Sequence, residues 1–506
     1  MTLADHLPIL PVIIPALAAP IVMLVMRRRP ALGVAVSVAS CLALLATAIT
    51  LMMQVSDGTI LAYAVGEWAA PFGIVLVADR LAAMMLVLTA CLALIALLHA
   101  VVTGADRRGW HFLALFQFQL MGLNGAFLTG DLFNLFVFFE VLLIASYGLM
   151  LHGQGPARLK AGVQYVVVNL VGSSLFLIAL GMLYALTGTL NMADMGLRLA
   201  GVPPEDQGLL RIAALLLVSV FALKAAVAPL HLWLVRTYAV STPAVAALFA
   251  IMTKVGVYSL IRVVPQVFGD GAGAAAWVPT PYLLPATMVS AIIGFAGVFV
   301  ARSLSEQAAY AVIGSTGTLL IAVAGWSAES LGAGLYYLAH STLAAAALFL
   351  VADVVARRRG AFGDNASPGP VFAQRGGIAL LFMAAAIAAT GLPPLSGFIG
   401  KLLILKSVAA LPDWGWAWGV ILGTTFIGVV GFARVGSAVF WKTAGEGTAP
   451  TGPATRADLA APALALALLA ALAAGAGWAS AYADAAAVQV LDPAQSARAV
   501  LTEAGQ

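Results

Sequence analysis

Apolar runs near 20 residues recur almost end to end along this chain, separated by short clusters of glycine, proline and charge. A helix of roughly 20 apolar residues crosses about 30 Å of hydrocarbon, so the pattern predicts about fourteen membrane-spanning helices. The approximate spans are 5–26, 31–54, 79–102, 110–129, 132–151, 159–187, 209–228, 243–264, 281–301, 307–326, 330–356, 377–410, 416–441 and 457–480. The seventh is followed by a short amphipathic piece at 230–240. The twelfth is too long for one straight span and is interrupted by Pro393 and Pro394. The segment 57–78 does not read as a helix; its glycine, proline and alternating β-branched residues predict a short hairpin outside the membrane. The tail after 481 is alanine-rich and mildly polar, and too short to be a long helix running along the membrane.

The predicted fold class is an all-α polytopic membrane protein. Its halves, spans 4–8 and 9–13, are expected to be inverted five-helix repeats with the seventh and twelfth helices broken. Direct identity between the halves is slight, so the repeat is inferred from the paired breaks, which mark transport sites at repeat interfaces. The division follows: 1–108 for the first three helices and the hairpin, 109–265 and 281–442 for the two repeats, and 457–506 for the last helix and tail.

Composition agrees with the pattern, at 62% hydrophobic and 9% charged over 506 residues. A soluble chain of this size could not cover its surface with so few charges. The N-terminal apolar stretch lacks a basic region before it and reads as a retained span rather than a cleaved signal. Cys41 and Cys91 lie in different spans and read as small packing residues. Charge placement is more informative than the net +4. With the N-terminus outside, the inner ends collect Arg27–Arg29, Arg107, Arg108, Arg158, Lys160 and Arg357–Arg359, among others. The outer ends hold only Arg80, Arg198, Arg211, Arg262 and Arg498. That bias places both termini on the outer, periplasmic side of a cell inner membrane.

Four charges remain stranded in the most apolar stretches: Glu140, Lys224, Lys254 and Lys401. At the bilayer centre each would cost about 2.5–3.5 kcal/mol even on lenient scales, and intramembrane ionisable groups tend to be functional. Glu140 lies nearly mid-span in LFNLFVFFEVLL; the plainer reading is a residue snorkelling to the interface. Lys224 precedes Pro229, which should break the helix beside it, and broken helices at membrane depth line cavities or are buried in protein. His231 follows that break; a lone histidine could simply satisfy a carbonyl, but beside a break and a lysine a proton relay is the better reading. Lys254, close to Gly256, could instead be a structural tie to a neighbouring carbonyl. Lys401 follows GLPPLSGFIG, which cannot stay a regular helix. His340 sits mid-span before Ser341 and Thr342, and a relay role and a packed core role are both open. Lys406 reads as a rim lysine and Arg434 as an ion-pair partner outside the path. No nucleotide loop, metal-ligand cluster, cofactor site or nucleophile triad emerges, and no nucleic-acid surface.

At these residues the chain resembles the proton-translocating antiporter-like family. This family comprises the Mrp-type multisubunit Na+/H+ antiporters and the large membrane subunits of complex I and related hydrogenases. The matching stretches are GDLFNLFVFFEVLLIASYGLM, LKAAVAPLHLWL, STPAVAALFAIMTKVGVYSLIR, YYLAHSTLAAAALF and GLPPLSGFIGK. The length and the LFNLFVFFE form are most similar to the D subunits of Mrp (Pha) antiporters. The resemblance implies Glu140 and Lys224 as the couple of the first half-channel, Lys254 as the bridging lysine, His340 in the central relay and Lys401 as the terminal lysine. Two departures stand out. Many members carry a lysine where this chain has Ala345, and a DLK(R/K)xxAYS stretch where it has Ser303 and Ser305.

The resulting expectation is a subunit that moves H+ from Lys224 to Lys254, through His340 and water, to Lys401, with Glu140 gating the first lysine. Other membrane subunits would be its partners, and Na+, or K+ or Li+, the exchanged cation. The rival expectation is the same architecture as a pumping subunit of a complex I-type oxidoreductase or membrane hydrogenase. A solute transporter fits less well, since no arginine pair lies mid-span to hold a carboxylate. A purely structural subunit would have little reason to retain four such charges.

Overall fold

The computed structural model describes residues 5–410, 412, 414–448 and 455–502. The chain is a helical bundle. Its elements are α1 (Leu10–Met26), α2 (Pro30–Gln54), β1 (Leu61–Ala64), β2 (Val75–Ala78), α3 (Arg80–Thr103), α4 (Phe112–Leu128), α5 (Leu132–Met150), α6 (Pro156–Thr187) and α7 (Met192–Arg198). There follow α8 (Gln207–Lys224), α9 (Leu234–Val240), α10 (Pro243–Phe249), α11 (Met252–Val267), α12 (Thr280–Val300), α13 (Leu304–Val323) and α14 (Ala328–Arg359). The last are α15 (Arg375–Thr390), α16 (Ser396–Val408), α17 (Trp414–Gly436), α18 (Ala460–Ala474), α19 (Ala476–Val490) and α20 (Pro493–Thr502). Among the described residues, eleven helices are long and apolar enough to cross a membrane. α4, α13 and the pair α15–α16 pack among them.

Local chemistry sets the helix starts. The Asp79, Asp131 and Ser303 side chains accept from the free amides of the first turns of α3, α5 and α13. Ser327 and Ser330 close a reciprocal capping box on α14. The hairpin expected over 57–78 forms, with β1 and β2 antiparallel and Leu61 opposite Ala78. α14 is the spine: it is buried along most of its 32 residues and contacts α13, α15, α16, α18 and α19.

Both expected interruptions are present. α8 stops at Lys224 and helix resumes at Leu234, with Pro229 between them. The groups freed by the break are answered by side chains. Ala228 N donates to Ser290 Oγ of α12 at 2.8 Å, and Trp233 Nε1 donates to the Leu223 carbonyl at 3.2 Å. That satisfaction is what allows irregular backbone inside a membrane bundle. The second break, 391–395, opens on Gly391 at φ +75°, a left-handed conformation that glycine takes without penalty.

The alanine-rich, mildly polar tail after 481 is helical, through the end of α19 and α20. α18 and α19 meet at Gly475, where a single non-α residue separates two long helices. α19 is clasped to the hairpin end. Tyr482 Oη donates to the Arg80 carbonyl at 3.1 Å, and Gln489 Nε2 donates to the Gly58 carbonyl at 2.9 Å. Alanine is the best helix former, and its small side chain lets helices approach closely, so an alanine-rich run is compatible with a packed helix. The last residues of the tail, 503–506, lie outside the described residues.

Candidate functional site

The first expected couple lies where α5, α6 and α8 meet. Lys224, the last residue of α8, is 5% exposed, and its Nζ donates to Asn169 Oδ1 of α6 at 3.2 Å. It stands 5.8 Å from the centroid of the Phe139 ring. Asn169 Nδ2 donates to the Tyr165 carbonyl at 2.9 Å, which turns the amide oxygen toward the lysine. One turn further along α6, the Ser173 hydroxyl donates to Glu140 Oε1. Among the described residues Glu140 and Lys224 form no ion pair. Sequence placed both groups in one half-channel. The structure brings them to adjacent turns of one helix, each with its own neutral partner.

Lys254 is fully buried on α11 and donates to Thr316 Oγ1 of α13 at 3.1 Å. Gly256 explains how α11 comes so near the first break. A Cβ there would lie 2.4 Å from Ala225 N and 2.7 Å from the Phe221 carbonyl oxygen. Only glycine permits that backbone-to-backbone approach.

His340 is buried on α14 and its Nδ1 is 2.9 Å from Ser396 Oγ, at the start of α16. Ser396 opens the same helix that carries Lys401, so the imidazole stands against the first turn of α16. Gly397 makes room for the ring, since a Cβ there would lie 2.7 Å from His340 Nε2. Where relatives were expected to carry a lysine, Ala345 borders a cavity of about 10 Å³ with Ser315, Tyr337, His340 and Ser341. That is room for about one water.

Lys401 ends the line. It is 5% exposed, and its Nζ donates to the Thr390 carbonyl at 2.8 Å and to Thr425 Oγ1 of α17 at 2.6 Å. The Thr390 carbonyl is the end of α15, left free by the second break. An ammonium there meets both the unpaired carbonyl and the negative pole of the half-helix.

His231 sits in the first break, and makes no hydrogen bond with Lys224, Lys254 or Glu140 among the described residues; its Nδ1 is buried without a partner. Lys406 pairs at the rim with Glu329 at 3.4 Å, both well exposed. Arg434 departs from its expected ion pair, because its Nη2 donates to the Ala301 carbonyl at 2.7 Å, closing the end of α12. Ser303, in place of the family's acid, caps α13, and Ser305 N donates to Asp364 Oδ2 at 2.8 Å. Among the described residues no three His, Cys, Asp or Glu side chains are grouped to hold a metal.

Five side chains that touch the path escaped the sequence reading: Asn169, Ser173, Thr316, Ser396 and Thr425. Hydroxyls are common in packed helices and announce nothing alone. Asn169 and Ser173 carried a usable signal, as polar groups four apart on an apolar span lie on one helix face.

Comparison with known proteins adds identity to this geometry. Residues 129–428, which include Glu140, all three buried lysines and His340, match the NADH:quinone oxidoreductase/Mrp antiporter transmembrane family. The D subunit of a probable K(+)/H(+) antiporter of Rhizobium meliloti (strain 1021) is 40% identical over 480 residues, 88% of each chain. The D subunit of the Na(+)/H(+) antiporter of Bacillus subtilis (strain 168) is 32% identical over 497 residues, 98% of this chain and 99% of the relative. A chain of the Mrp complex from Dietzia sp. DQ12-45-1b superposes with a TM-score of 0.88 at 28% identity, covering 99% of this chain and 100% of that one. A chain of respiratory complex I from Thermus thermophilus with bound NADH gives 0.77 at 25% identity, covering 96% and 99%. The matched segment spans both helix breaks and every buried lysine between them, and the chain belongs to the NADH:quinone oxidoreductase/Mrp antiporter transmembrane family.

Proposed function

We propose that this chain is the proton-translocating subunit of a multisubunit monovalent cation/H+ antiporter, seated in the cell inner membrane with both termini outward. One observation carries the reading: Lys224, Lys254 and Lys401 are all buried, and the hydrogen-bond partners of each are neutral oxygens. Desolvation disfavours a charge, and a neutral acceptor tolerates ammonium and amine alike. Each lysine can therefore take or give a proton without breaking an ion pair. H+ passes from Lys224 to Lys254, through His340 and water beside Ala345, to Lys401. Glu140 gates the first step, and His231 lies beside it. Fourteen crossings, of which helices 4–8 (109–265) and 9–13 (281–442) form two inverted five-helix repeats, suit this path, since each repeat holds one interrupted helix with a lysine at the break. The exchanged cation is Na+ or K+, the ions named for the two relatives, and the partners are the other antiporter subunits. The same path would serve a complex I-type pump; the full-length antiporter relatives favour exchange.

The test uses everted vesicles carrying the complete complex with a preformed pH gradient. Adding Na+, K+ or Li+ should collapse the gradient for at least one ion, as read by a pH-sensitive dye. A gradient that survives all three overturns the reading. Gly397→Ala gives a second expectation. The added methyl meets both the Ala388 carbonyl oxygen and the His340 ring, so it shifts the start of α16 together with the imidazole, and exchange should fall about a hundredfold, the cost of about 1 Å misplacement at a transfer site. Unchanged exchange would remove His340 from the path.

A further inference from the structure

The Glu140–Lys224 couple is apart in this structure, and each member is held by α6. We propose that Asn169 and Ser173 are positioning residues that hold the open state of this couple, so that α6 competes with the ion pair for both of its members. The inference deepens the proton-transfer reading and rests on it.

The geometry is specific on three points. The Asn169 amide is oriented by its own bond to Tyr165, so its oxygen is a fixed acceptor for Lys224. Ser173 donates to Glu140 and occupies one carboxylate oxygen. The two residues are a single turn apart on the α6 face that packs against α8, both nearly fully buried. Gly172 between them lets α8 approach closely, since a Cβ there would lie 2.6 Å from Leu223 Cδ2 and 3.8 Å from Lys224 Nζ.

The chemistry of the two states differs. Against Glu140 the lysine is an ammonium facing a carboxylate, and that pairing holds the proton. Against Asn169 it faces an amide oxygen that accepts from amine or ammonium, so release costs no ion pair. Closing the couple loads the lysine, and opening it onto Asn169 and Ser173 lets the proton leave. Glu140 is the charge acting on Lys224. The other titratable groups around the couple are Tyr147 on α5, Tyr165 on α6, Lys254 on α11 near its contact with the break, and His231 within the break.

The experiment measures cation-driven proton exchange against pH in everted vesicles carrying the complete complex. Ser173→Ala removes the open-state partner of Glu140. The closed pair then gains, the lysine keeps its proton to higher pH, and the profile moves up by about half to one pH unit, the equivalent of one hydrogen bond. Asn169→Leu moves it in the same direction. Ser173→Thr, which keeps the hydroxyl, restores the original profile. Asn169→Asp gives Lys224 a permanent carboxylate and moves the profile further than leucine does. Profiles that stay in place in Ser173→Ala and Asn169→Leu overturn the proposal, as does a threonine variant that behaves like alanine. Full exchange in Glu140→Ala would instead overturn the proton-transfer reading beneath it.

Discussion

Lys224→Arg is expected to lose cation-driven proton exchange as completely as Lys224→Ala, although it keeps the charge. Arginine stays protonated at any accessible pH, so it can neither load nor release a proton, and its planar fork does not fit a site built for a compact ammonium. Lys224 has an amide oxygen at 3.2 Å and an aromatic face beside it, but no carboxylate in contact. A positioned proton donor or acceptor is worth roughly 10²–10⁴-fold, so both variants should fall to the background of empty vesicles. The complex should still assemble, because the break after Lys224 is stabilised elsewhere, by Ser290 and Trp233. Near-normal exchange in Lys224→Arg would show that the site needs a charge and no titration. The proton path would then have to be redrawn.

The largest effect on stability is expected at the opposite kind of site, where a charge is locked. Arg262 near the end of α11 grips Asp79 with two hydrogen bonds of 2.5 and 2.7 Å, and the side chains are 7% and 3% exposed. Arg262 Nε also donates to Tyr258 Oη at 3.1 Å, and Tyr258 donates in turn to the Phe127 carbonyl at 2.6 Å. Asp79 caps α3 as well. Asp79→Ala leaves a buried guanidinium without its anion and should cost about 3–5 kcal/mol. The detergent-solubilised variant should melt well below the parent and accumulate poorly. Asp79→Leu combined with Arg262→Met should regain most of the loss, because well-packed apolar replacements of buried pairs are often neutral. A single mutant that melts with the parent would mean that water reaches the pair.

The contrast between these sites shows what a sequence can disclose. Pro229 and the run from Gly391 to Gly400 mark the breaks because backbone chemistry is local: a missing donor and a fixed φ act on the adjacent turns wherever the chain folds. The buried lysines were legible because cost alone exposes them. Their partners were not, since Thr316, Ser396 and Thr425 are ordinary residues until another helix brings a nitrogen against them. Asp79 and Arg262 lie 183 positions apart, and only Arg262 drew notice, as a charge at an outer helix end. α18 falls within the expected span 457–480, whereas the continuation of α19 past 481 was obscured: what orders this segment is contact with Gly58 and Arg80 far upstream. Ser303 shows how a departure from an expected pattern can be structural, since its hydroxyl caps α13 where the resemblance implied an acid.

The two ends of the lysine line are built from different materials. Lys401 rests on the Thr390 carbonyl, a main-chain atom at the end of α15, and on the Thr425 hydroxyl of α17. Lys224 rests on a side-chain amide, and its alternative partner hangs from a second helix. Sliding α5 along α6 would change what Lys224 touches and leave Lys401 undisturbed. Phe133, Val137 and Ile144 of α5 and Leu170, Val171 and Leu177 of α6 are exposed apolar side chains on these two helices. On the proposed path, the first lysine is thus the adjustable end and the last is the fixed one.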